Sequence, residues 1–377
     1  MSDTSGATTF PPGAYAERIR KAQSHAAAAG LAGLLISPGP DLQYLAGSRM
    51  SSFERLTCLV IPADGDPAVV VPRLEVAALR GSPIDALGIE LRPWVDGDDP
   101  YLLVRSALAS EGRVAIADAM PALHAIPLAR VTSERPLELA TPVLRELRMI
   151  KDDAELAALR AAGAAIDRVH ARMAEFVQAG RTEAQAAADI TAAIIEEGHT
   201  EAAFVIVGSG PNGADPHHEV SDRLLSAGDV VVVDIGGPVA AGYYSDCTRT
   251  YALGEPDSTA AERIGILEAA QRAAVRAVRP GVTAGEIDAA ARDHLRDHDL
   301  AEFFVHRTGH GIGLSVHEEP YIVSGSNQTL RAGMAFSVEP GVYLPGQWGA
   351  RIEDIIVVTD HGAESLNNQP HELTVLS

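Results

Sequence analysis

Four acidic residues and one histidine, each inside or beside an apolar strand-like segment, are the first candidates for chemistry in this chain: Asp234, Asp246, His310, Glu339 and Glu353. Each alone would be an ordinary strand-end residue. A carboxylate among apolar side chains is costly to bury unless a positive charge neutralises it. Oxygen ligands with one imidazole nitrogen suit manganese, cobalt, iron or zinc. Together the five residues therefore predict a site for one or two divalent metal ions.

The first two acids are expected on the two strands of a hairpin. Asp234 ends the run VVVVD, and Asp246 lies twelve positions later, beyond a glycine-containing turn. Side chains alternate between the two faces of a strand, so both carboxylates can point to the same face. Cys247 should then point to the opposite face, as a buried apolar residue.

The other three candidates come from separate segments. His310 stands between two glycines, where the backbone can approach a site closely, and Glu339 precedes Pro-Gly at a predicted strand end. Glu353 is expected within a strand of sequence ARIEDIIVV. Because these segments are far apart along the chain, only the tertiary fold can bring them together.

The bulk composition excludes several classes of function. A chain of 377 residues, 46% of them hydrophobic, is expected to form two globular domains. The net charge of −21 argues against a nucleic-acid partner and fits the binding of cations. Apolar runs fall short of the ~18 residues of a membrane helix, and the N-terminal segment lacks a secretory pattern. With Cys58 and Cys247 as the two cysteines, a reducing cytoplasm is the expected location.

The pattern of helices and strands divides the chain near residue 148. Residues 15–147 alternate helix and strand, which indicates an α/β layer, and they contain neither a dinucleotide-binding GxGxxG loop nor a nucleophile elbow. Beyond the boundary, Asp152 or Asp153 is expected to cap a long helix. Further helices are predicted over residues 182–197, where Thr182 and Gln185 form a capping-box pattern, and over 258–278 and 284–297, with strands between them.

Five ordered motifs in residues 151–377 resemble the signatures of the pita-bread metallopeptidases, which include methionine aminopeptidase, aminopeptidase P and prolidase. The motifs are PHHEVSDRLLSAGDVVVVDIGG, GYYSDCTRTY, HRTGHGIGLSVHEEP, SVEPGVY and RIED. The N-terminal region is similar, more weakly, to the creatinase/prolidase-type N-terminal domain. The resemblance implies an α/β domain of creatinase N-terminal type over residues 1–148, followed by an α+β pita-bread catalytic domain over residues 149–377.

The resemblance also implies a role for each of the five candidate ligands. Asp234 would bind one metal ion, His310 and Glu339 would bind the other, and Asp246 and Glu353 would bridge the pair. Two ions roughly 3.5 Å apart would share a water of lowered pKa that becomes the attacking hydroxide, and Glu339 would also handle its proton. Manganese is the first choice of metal, with cobalt, zinc or iron as alternatives. A site with a single ion stays open.

Three histidines match family positions that contact substrate near the scissile bond: His217, His306 and His317. An imidazole there can donate a proton to the developing oxyanion or to the leaving nitrogen. The additional His218 is expected to be a bystander. Thr248 is expected to orient ligands by hydrogen bonding, as is its neighbour Arg249.

One position departs from the prolidase pattern. Prolidase-like dipeptidases often carry an arginine where Tyr321 stands, to hold the free carboxylate of a dipeptide. Its replacement favours an aminopeptidase that acts on longer peptides. Arg351, or an N-domain side chain of a partner subunit, could take over the missing role.

The function predicted from these motifs is that of a metal-dependent exopeptidase that hydrolyses Xaa-Pro bonds, either aminopeptidase P-like or prolidase-like. Its substrate would be a peptide with proline at the second position, and the family resemblance implies a homodimer. The net charge and the short apolar runs argue against a nucleic-acid or membrane partner. Two alternatives are kept: an amidohydrolase, creatinase-like or metal-dependent, that acts on a small non-peptide C–N bond, and a non-catalytic pita-bread binding module.

Overall fold

The computed structural model of the chain describes residues 10–51, 54–80, 82–108, 112–132 and 137–376. The chain divides into two compact units, Met1–Arg148 and Met149–Ser377. Within the described residues, every helix is too short or too polar to cross a bilayer.

The first unit is built around one mixed sheet. Its strands are β1 (Leu31–Ile36), β2 (Cys58–Pro62), β3 (Ala68–Pro72), β4 (Glu90–Trp94), β5 (Arg113–Ile116) and β6 (Leu137–Leu139). Their order across the sheet is β4-β3-β2-β1-β5-β6. Its helices are α1 (Pro12–Ala28), α2 (Pro40–Ala46), α3 (Pro100–Ala107), α4 (Ala122–Val131) and α5 (Thr141–Arg148). Every residue of β1, β2 and β3 is buried, as expected for short apolar strands covered on both faces.

The second unit contains the five candidate ligands. Its helices are α6 (Asp153–His170), α7 (Met173–Phe176), α8 (Glu183–Glu196), α9 (Ser258–Ala277) and α10 (Ala284–Arg296). Its strands are β7 (Phe204–Ser209), β8 (Val230–Pro238), β9 (Tyr244–Leu253), β10 (Gly309–Gly311), β11 (Glu318–Ile322), β12 (Ala335–Val338), β13 (Gly341–Leu344), β14 (Trp348–Arg351), β15 (Asp354–Thr359), β16 (Gly362–Ser365) and β17 (Thr374–Leu376).

These strands form three sheets, of orders β11-β10-β12-β15-β16, β17-β9-β8-β7 and β13-β14. Apolar residues of α6 and α8 share a core with β7, β8 and β9, and those of α9 and α10 share one with the β10–β12–β15 sheet. Each larger sheet is thus covered by a pair of helices.

Local sequence signals fix where the helices begin. Asp152, Thr182 and Thr283 are the N-caps of α6, α8 and α10, and each forms a reciprocal capping box with the residue three positions later. Such a box satisfies two backbone N–H groups that the first helical turn leaves without partners. The caps expected at Asp152 and Thr182 are therefore confirmed.

The predicted hairpin is the antiparallel pair β8–β9. Asp234 lies opposite Thr248, and Asp246 lies opposite Gly236. Directly paired residues share a face, as do residues two apart on one strand, so both carboxylates and Thr248 lie on the same face. Cys247 lies on the other face, in the core beneath α6 and α8.

Glu353 does not lie within a strand, contrary to the expectation for ARIEDIIVV. The segment is split because β14 pairs with β13, whereas β15 pairs with β12 in a different sheet. Residues 352 and 353 make the crossing between the sheets. Glu353 is therefore presented at a sheet junction, where it remains 1% exposed.

Candidate metal centre

All five predicted ligands line one cavity of about 830 Å³ in the second unit. The three predicted substrate histidines, His217, His306 and His317, line the same cavity. The hairpin supplies Asp234 and Asp246 on the common face of β8 and β9. The other sheet supplies His310 from β10 and Glu339 from the end of β12.

A compact cluster of potential metal-ligating atoms is formed by Asp246, His310 and Glu353. One donor atom from each lies within 4.8 Å of those of the other two, and all three residues are buried. Two buried carboxylate oxygens, Asp234 Oδ1 and Glu353 Oε1, have no hydrogen-bond partner. Buried polar atoms are nearly always paired. This donor set therefore fits divalent cations, which would satisfy both oxygens.

Electrostatics favour the same interpretation. Burial, followed by the neighbouring charge of Asp234, raises the pKa of Asp246 well above its ordinary value. Burial, followed by the charges of Asp246 and Glu339, does the same to the pKa of Glu353. Carboxylates crowded in this way destabilise one another unless a proton or a cation intervenes.

His310 is oriented so that one ring nitrogen faces the acids. Its Nδ1 lies 3.2 Å from the carbonyl oxygen of Gly311, an acceptor that places the proton on Nδ1 in the neutral ring. Its Nε2 lies 3.2 Å from Glu339 Oε1 and 3.6 Å from Asp246 Oδ2. The hydrogen bond to the backbone thus leaves Nε2 as the ring atom available to a metal ion.

The two glycines beside His310 are required by close packing. A Cβ on Gly309 would collide with the backbone carbonyl of Ser337, and one on Gly311 would collide with the backbone of Glu319. The predicted close approach of the backbone is therefore present on both sides of the histidine. It lets β10 sit between β11 and β12.

Glu339 is held by two neighbours. The hydroxyl of Ser337 donates to Glu339 Oε1 at 3.0 Å, and the amide of His310 donates to the same hydroxyl at 3.0 Å. Burial acts to raise the pKa of Glu339, but the hydrogen bond and charge of His310 outweigh it and lower the pKa. Glu339 therefore stays ionised within the cluster.

Arg351 forms a buried ion pair inside the cluster. Its Nη2 lies 2.6 Å from Asp234 Oδ2, and its Nη1 lies 2.7 Å from the hydroxyl oxygen of Tyr343. The side chain is 4% exposed. Both terminal nitrogens of Arg351 are thus engaged by Asp234 and Tyr343, an arrangement that does not favour Arg351 as the carboxylate anchor.

Thr248 and Arg249 both contact Glu353. The Thr248 hydroxyl donates to Glu353 Oε2 at 2.7 Å. Arg249 Nη1 donates to the backbone carbonyl of Glu353 at 2.6 Å, and its Nη2 donates to Asp354 Oδ1 at 2.8 Å. The orienting hydrogen bonds expected from these two residues are present.

The loop that carries His217 is fastened by one buried carboxylate. Glu183, in the first turn of α8 and 0% exposed, accepts hydrogen bonds from Ser209 Oγ and Ser221 Oγ, each at 2.6 Å. His218 Nε2 lies 2.8 Å from the same carboxylate. His218 is thus a loop anchor beneath the exposed His217, which faces the cavity.

His306 lies in the cavity wall with both ring nitrogens engaged. Its Nδ1 is 2.8 Å from the Arg307 carbonyl oxygen, and its Nε2 is 2.9 Å from the Tyr343 hydroxyl. Donation by Nδ1 leaves Nε2 to accept the Tyr343 proton. Tyr343 in turn accepts from Arg351, so a chain of hydrogen bonds joins His306 to the ion pair at Asp234.

His317 packs against His310, the candidate ligand. The rings of His310 and His317 are 4.1 Å apart between centroids, in an edge-on arrangement. Burial, with the charges of His310 and Arg307, lowers the pKa of His317 to about 4. The imidazole is therefore neutral near pH 7.

Sequence reasoning missed Tyr343, Glu183 and Arg307. The first two act through partners far away in the sequence, and Glu183 looks like an ordinary first-turn acid behind the Thr182 cap. Arg307 lines the cavity and stands inside the HRTGH motif. That position was the one signal that could have marked it.

Comparison with known proteins agrees with this geometry. The model of metallopeptidase family M24 matches residues 157–360, and that of the creatinase/prolidase N-terminal domain matches residues 18–150. The chain therefore belongs to metallopeptidase family M24. The predicted family and the two-part fold are confirmed.

Three relatives illustrate the match. A protein named probable dipeptidase PepE from Mycobacterium bovis is 61% identical over 372 residues, which cover 98% of this chain and 99% of the relative. The Xaa-Pro dipeptidase of Lactobacillus helveticus is 32% identical over 354 residues, covering 90% and 94%. The crystal structure of dipeptidase PepE from Mycobacterium ulcerans superposes with a TM-score of 0.94 at 62% identity and covers 97% of this chain and 99% of that one.

Proposed function

We propose that this protein is a metal-dependent Xaa-Pro dipeptidase. The observation that carries the proposal is the buried Asp246–His310–Glu353 cluster, which opens onto a cavity that also contains Glu339 and neutral His317. The presence of Tyr321 instead of an arginine favoured, by itself, an enzyme that acts on longer peptides. Relatives that share most of the chain are named dipeptidases and Xaa-Pro dipeptidases, which favours dipeptides instead.

Five side chains would hold two divalent cations, with manganese as the first choice: Asp234, Asp246, His310, Glu339 and Glu353. When bound, the cations would supply Lewis acidity and lower the pKa of the water that attacks the peptide carbonyl. Thr248 and Arg249 keep Glu353 in place, and Arg351 keeps Asp234 in place, which preserves the geometry of the ligands.

Glu339 moves the proton of the attacking water. The carboxylate is ionised because of His310, it lies at the cavity wall, and Ser337 holds one of its oxygens. A carboxylate that is held and charged can accept a proton and then pass it to the leaving proline nitrogen.

The cavity histidines position the substrate. Neutral His317 can donate a hydrogen bond to the carbonyl oxygen as charge develops there, and His217 faces the same space from the loop fastened by Glu183. His306 holds the chain of hydrogen bonds that runs to Asp234. Its Nε2 reaches substrate only after release from Tyr343.

The cavity also contains an apolar wall that suits a proline ring, formed by Phe204, Ile206, Val305 and Val316. In sites of this kind, apolar contact holds a small ligand and a few polar groups orient it. A free ammonium is favoured by the acidic side of the same cavity.

We also propose the organisation expected for the family: residues 1–148 as the creatinase/prolidase-like domain, residues 149–377 as the catalytic domain, and a cytoplasmic homodimer. Metal analysis of protein reloaded with manganese should give two ions per chain. A value that stays at one would favour the single-ion site.

A cleavage panel tests the function directly. Manganese-loaded protein is offered Ala-Pro, Ala-Pro-Ala, methionyl peptides and creatine, and free amino acids are measured. Hydrolysis of Ala-Pro ahead of all the others supports the proposal. Cleavage of creatine alone would support an amidohydrolase, and the absence of all cleavage would support a binding module.

The Glu339→Gln variant tests the mechanism. Loss of the proton acceptor should lower kcat by about 10²- to 10⁴-fold without loss of the folded state by circular dichroism. Glu262→Gln, an exposed change on α9, is the matched control. Retained turnover in Glu339→Gln would refute its role.

A further inference from the structure

Arg307 is a cavity-lining cation that forms no ion pair with an acidic residue described by the structure. Among the residues described by the structure, it and Arg351 are the arginines that line the cavity. Arg351 is paired with Asp234 at 2.6 Å. Arg307 has no carboxylate partner within the described part of the chain, although the protein carries 51 acidic residues.

The guanidinium of Arg307 is positioned by an aromatic ring. Its Cζ lies 4.5 Å from the centroid of the Tyr321 ring, a distance typical of a cation–π contact. Stacking leaves the edge of the planar guanidinium, which carries the N–H donors, available for a ligand. Tyr321 thus stands where prolidase-like dipeptidases often carry a carboxylate-binding arginine, and its ring supports the guanidinium of Arg307.

The backbone that presents Arg307 is fixed on both sides. The hydroxyl of Thr308 donates to Asp288 Oδ1 at 2.8 Å, and Arg292 Nη2 donates to the carbonyl of His306 at 2.9 Å. The guanidinium therefore starts from an anchored main chain, so little ordering is required when a ligand binds.

A guanidinium that lies at a cavity wall without an acidic partner is suited to bind a carboxylate, with which it can form two parallel hydrogen bonds. The dipeptides proposed as substrates carry one at the proline end, opposite to the ammonium. Longer peptides carry a neutral amide bond at that position. An anion site in the cavity therefore selects for peptides that end at proline.

We propose that Arg307, supported by Tyr321, binds the terminal carboxylate of the dipeptide and so sets the length of the substrate. This inference rests on the proposed Xaa-Pro dipeptidase function. It assigns the role of the arginine that prolidase-like dipeptidases often carry at the position of Tyr321 to an arginine in the loop that precedes β10.

The test compares Ala-Pro with Ala-Pro amide, which differs only in the absence of the terminal charge. Wild-type protein loaded with manganese should have a kcat/KM for Ala-Pro roughly 10- to 150-fold above that for the amide, the range for a hydrogen bond to a charged group. Arg307→Ala should raise the KM for Ala-Pro by a similar factor, with little change in kcat, and leave the amide unaffected. Arg307→Lys should restore part of the loss.

Arg276→Ala is the matched control, because Arg276 is exposed on α9 and does not line the cavity. This variant should have the same kcat/KM as wild type for both Ala-Pro and Ala-Pro amide. Tyr321→Phe should keep the preference for Ala-Pro, since the ring is retained, whereas Tyr321→Ala should weaken it.

Three results would overturn the inference. The first is a wild-type protein that cleaves both substrates equally well. The second is an Arg307→Ala variant that slows both to the same extent. The third is a loss confined to Asp-Pro, which would show that Arg307 binds the side chain of the first residue.

A binding measurement separates this inference from the proposed function. A reduced Ala-Pro analogue, with CH₂ in place of the scissile carbonyl, is titrated as the free acid and as the amide against wild-type and Arg307→Ala protein. If no dipeptide is cleaved, the proposed function fails, and tighter binding of the acid that depends on Arg307 still supports the anchor. Equal binding of acid and amide overturns it.

Discussion

Arg351 and Asp234 form a buried ion pair, 2.6 Å between Nη2 and Oδ2, in the middle of the carboxylate cluster. The second oxygen of Asp234 is buried without a partner. One oxygen of this carboxylate thus faces a fixed cation, and the other is available to the proposed metal centre. The pair compensates one of the crowded acids even before metal ions bind.

Arg351→Met should destabilise the metal-free protein more than the loaded one. Removal of one partner of a buried pair leaves an uncompensated charge, which costs about 3–5 kcal/mol in the free energy of unfolding. Manganese supplies a replacement positive charge, so the deficit should shrink on loading. Urea unfolding of both forms measures it, with Arg276→Met as the control. An equal deficit with and without manganese would argue against this arrangement.

Glu353→Gln should raise the stability of the metal-free protein and reduce the additional stability that manganese confers. Glutamine keeps an oxygen for the Thr248 hydroxyl, which donates to Glu353 at 2.7 Å, while it removes one of the mutually repelling charges. The metal-free protein should therefore melt at a higher temperature than wild type. The stabilisation by added manganese should become smaller, because a ligand is lost.

Thermal melting with increasing manganese distinguishes the two effects. Glu262→Gln removes an exposed acid on α9. It should change neither the melting temperature of the metal-free protein nor the increase produced by manganese. A lower melting temperature of metal-free Glu353→Gln would show that repulsion between the carboxylates is not significant in the folded protein.

Glu183→Gln should impair catalysis through the loop of His217. The substitution puts an amide donor where Glu183 accepts hydrogen bonds from Ser209, Ser221 and His218. We expect a cost of about 1–3 kcal/mol in the free energy of unfolding and a lower kcat for Ala-Pro. Kinetics and urea unfolding on the same samples measure both.

Glu286→Gln provides the comparison for the loop variant, since Glu286 is also a first-turn acid but belongs to the exposed capping box of α10. It should affect stability alone. Unchanged kcat in Glu183→Gln would mean that the loop geometry does not depend on the carboxylate.

His170 should make the protein less stable as the pH falls. Burial, with the charge of Arg249, lowers the pKa of His170 from 6.5 to about 3. Between these values the unfolded chain binds a proton that the folded protein does not, so the free energy of unfolding decreases as the pH falls below 6.5. The slope from one such group is about 1.4 kcal/mol per pH unit.

His170→Gln should remove this contribution, which appears as the difference in slope between variant and wild type in urea unfolding from pH 7 downward. His361→Gln, an exposed change on the same unit, should leave the slope unchanged. Identical slopes for His170→Gln and wild type would show that His170 is protonated in the folded protein.

The sequence by itself determined the local features of the centre. Alternation along a strand placed Asp234 and Asp246 on one face of the hairpin and Cys247 on the other, and capping residues fixed the starts of α6 and α8. These features depend on neighbours only a few positions away along the chain or across one turn, so their physical rules can be read from residue types and spacing.

Tertiary structure alone decided how each ligand is held. Arg351 reaches Asp234 across 117 positions, and Thr248 reaches Glu353 across 105. Glu353 itself lies at a crossing between two sheets, which no pattern of apolar residues indicated. Such contacts depend on how sheets pack rather than on local preference, and the commitment of Arg351 to Asp234 is what leaves Arg307 as the available cation of the cavity.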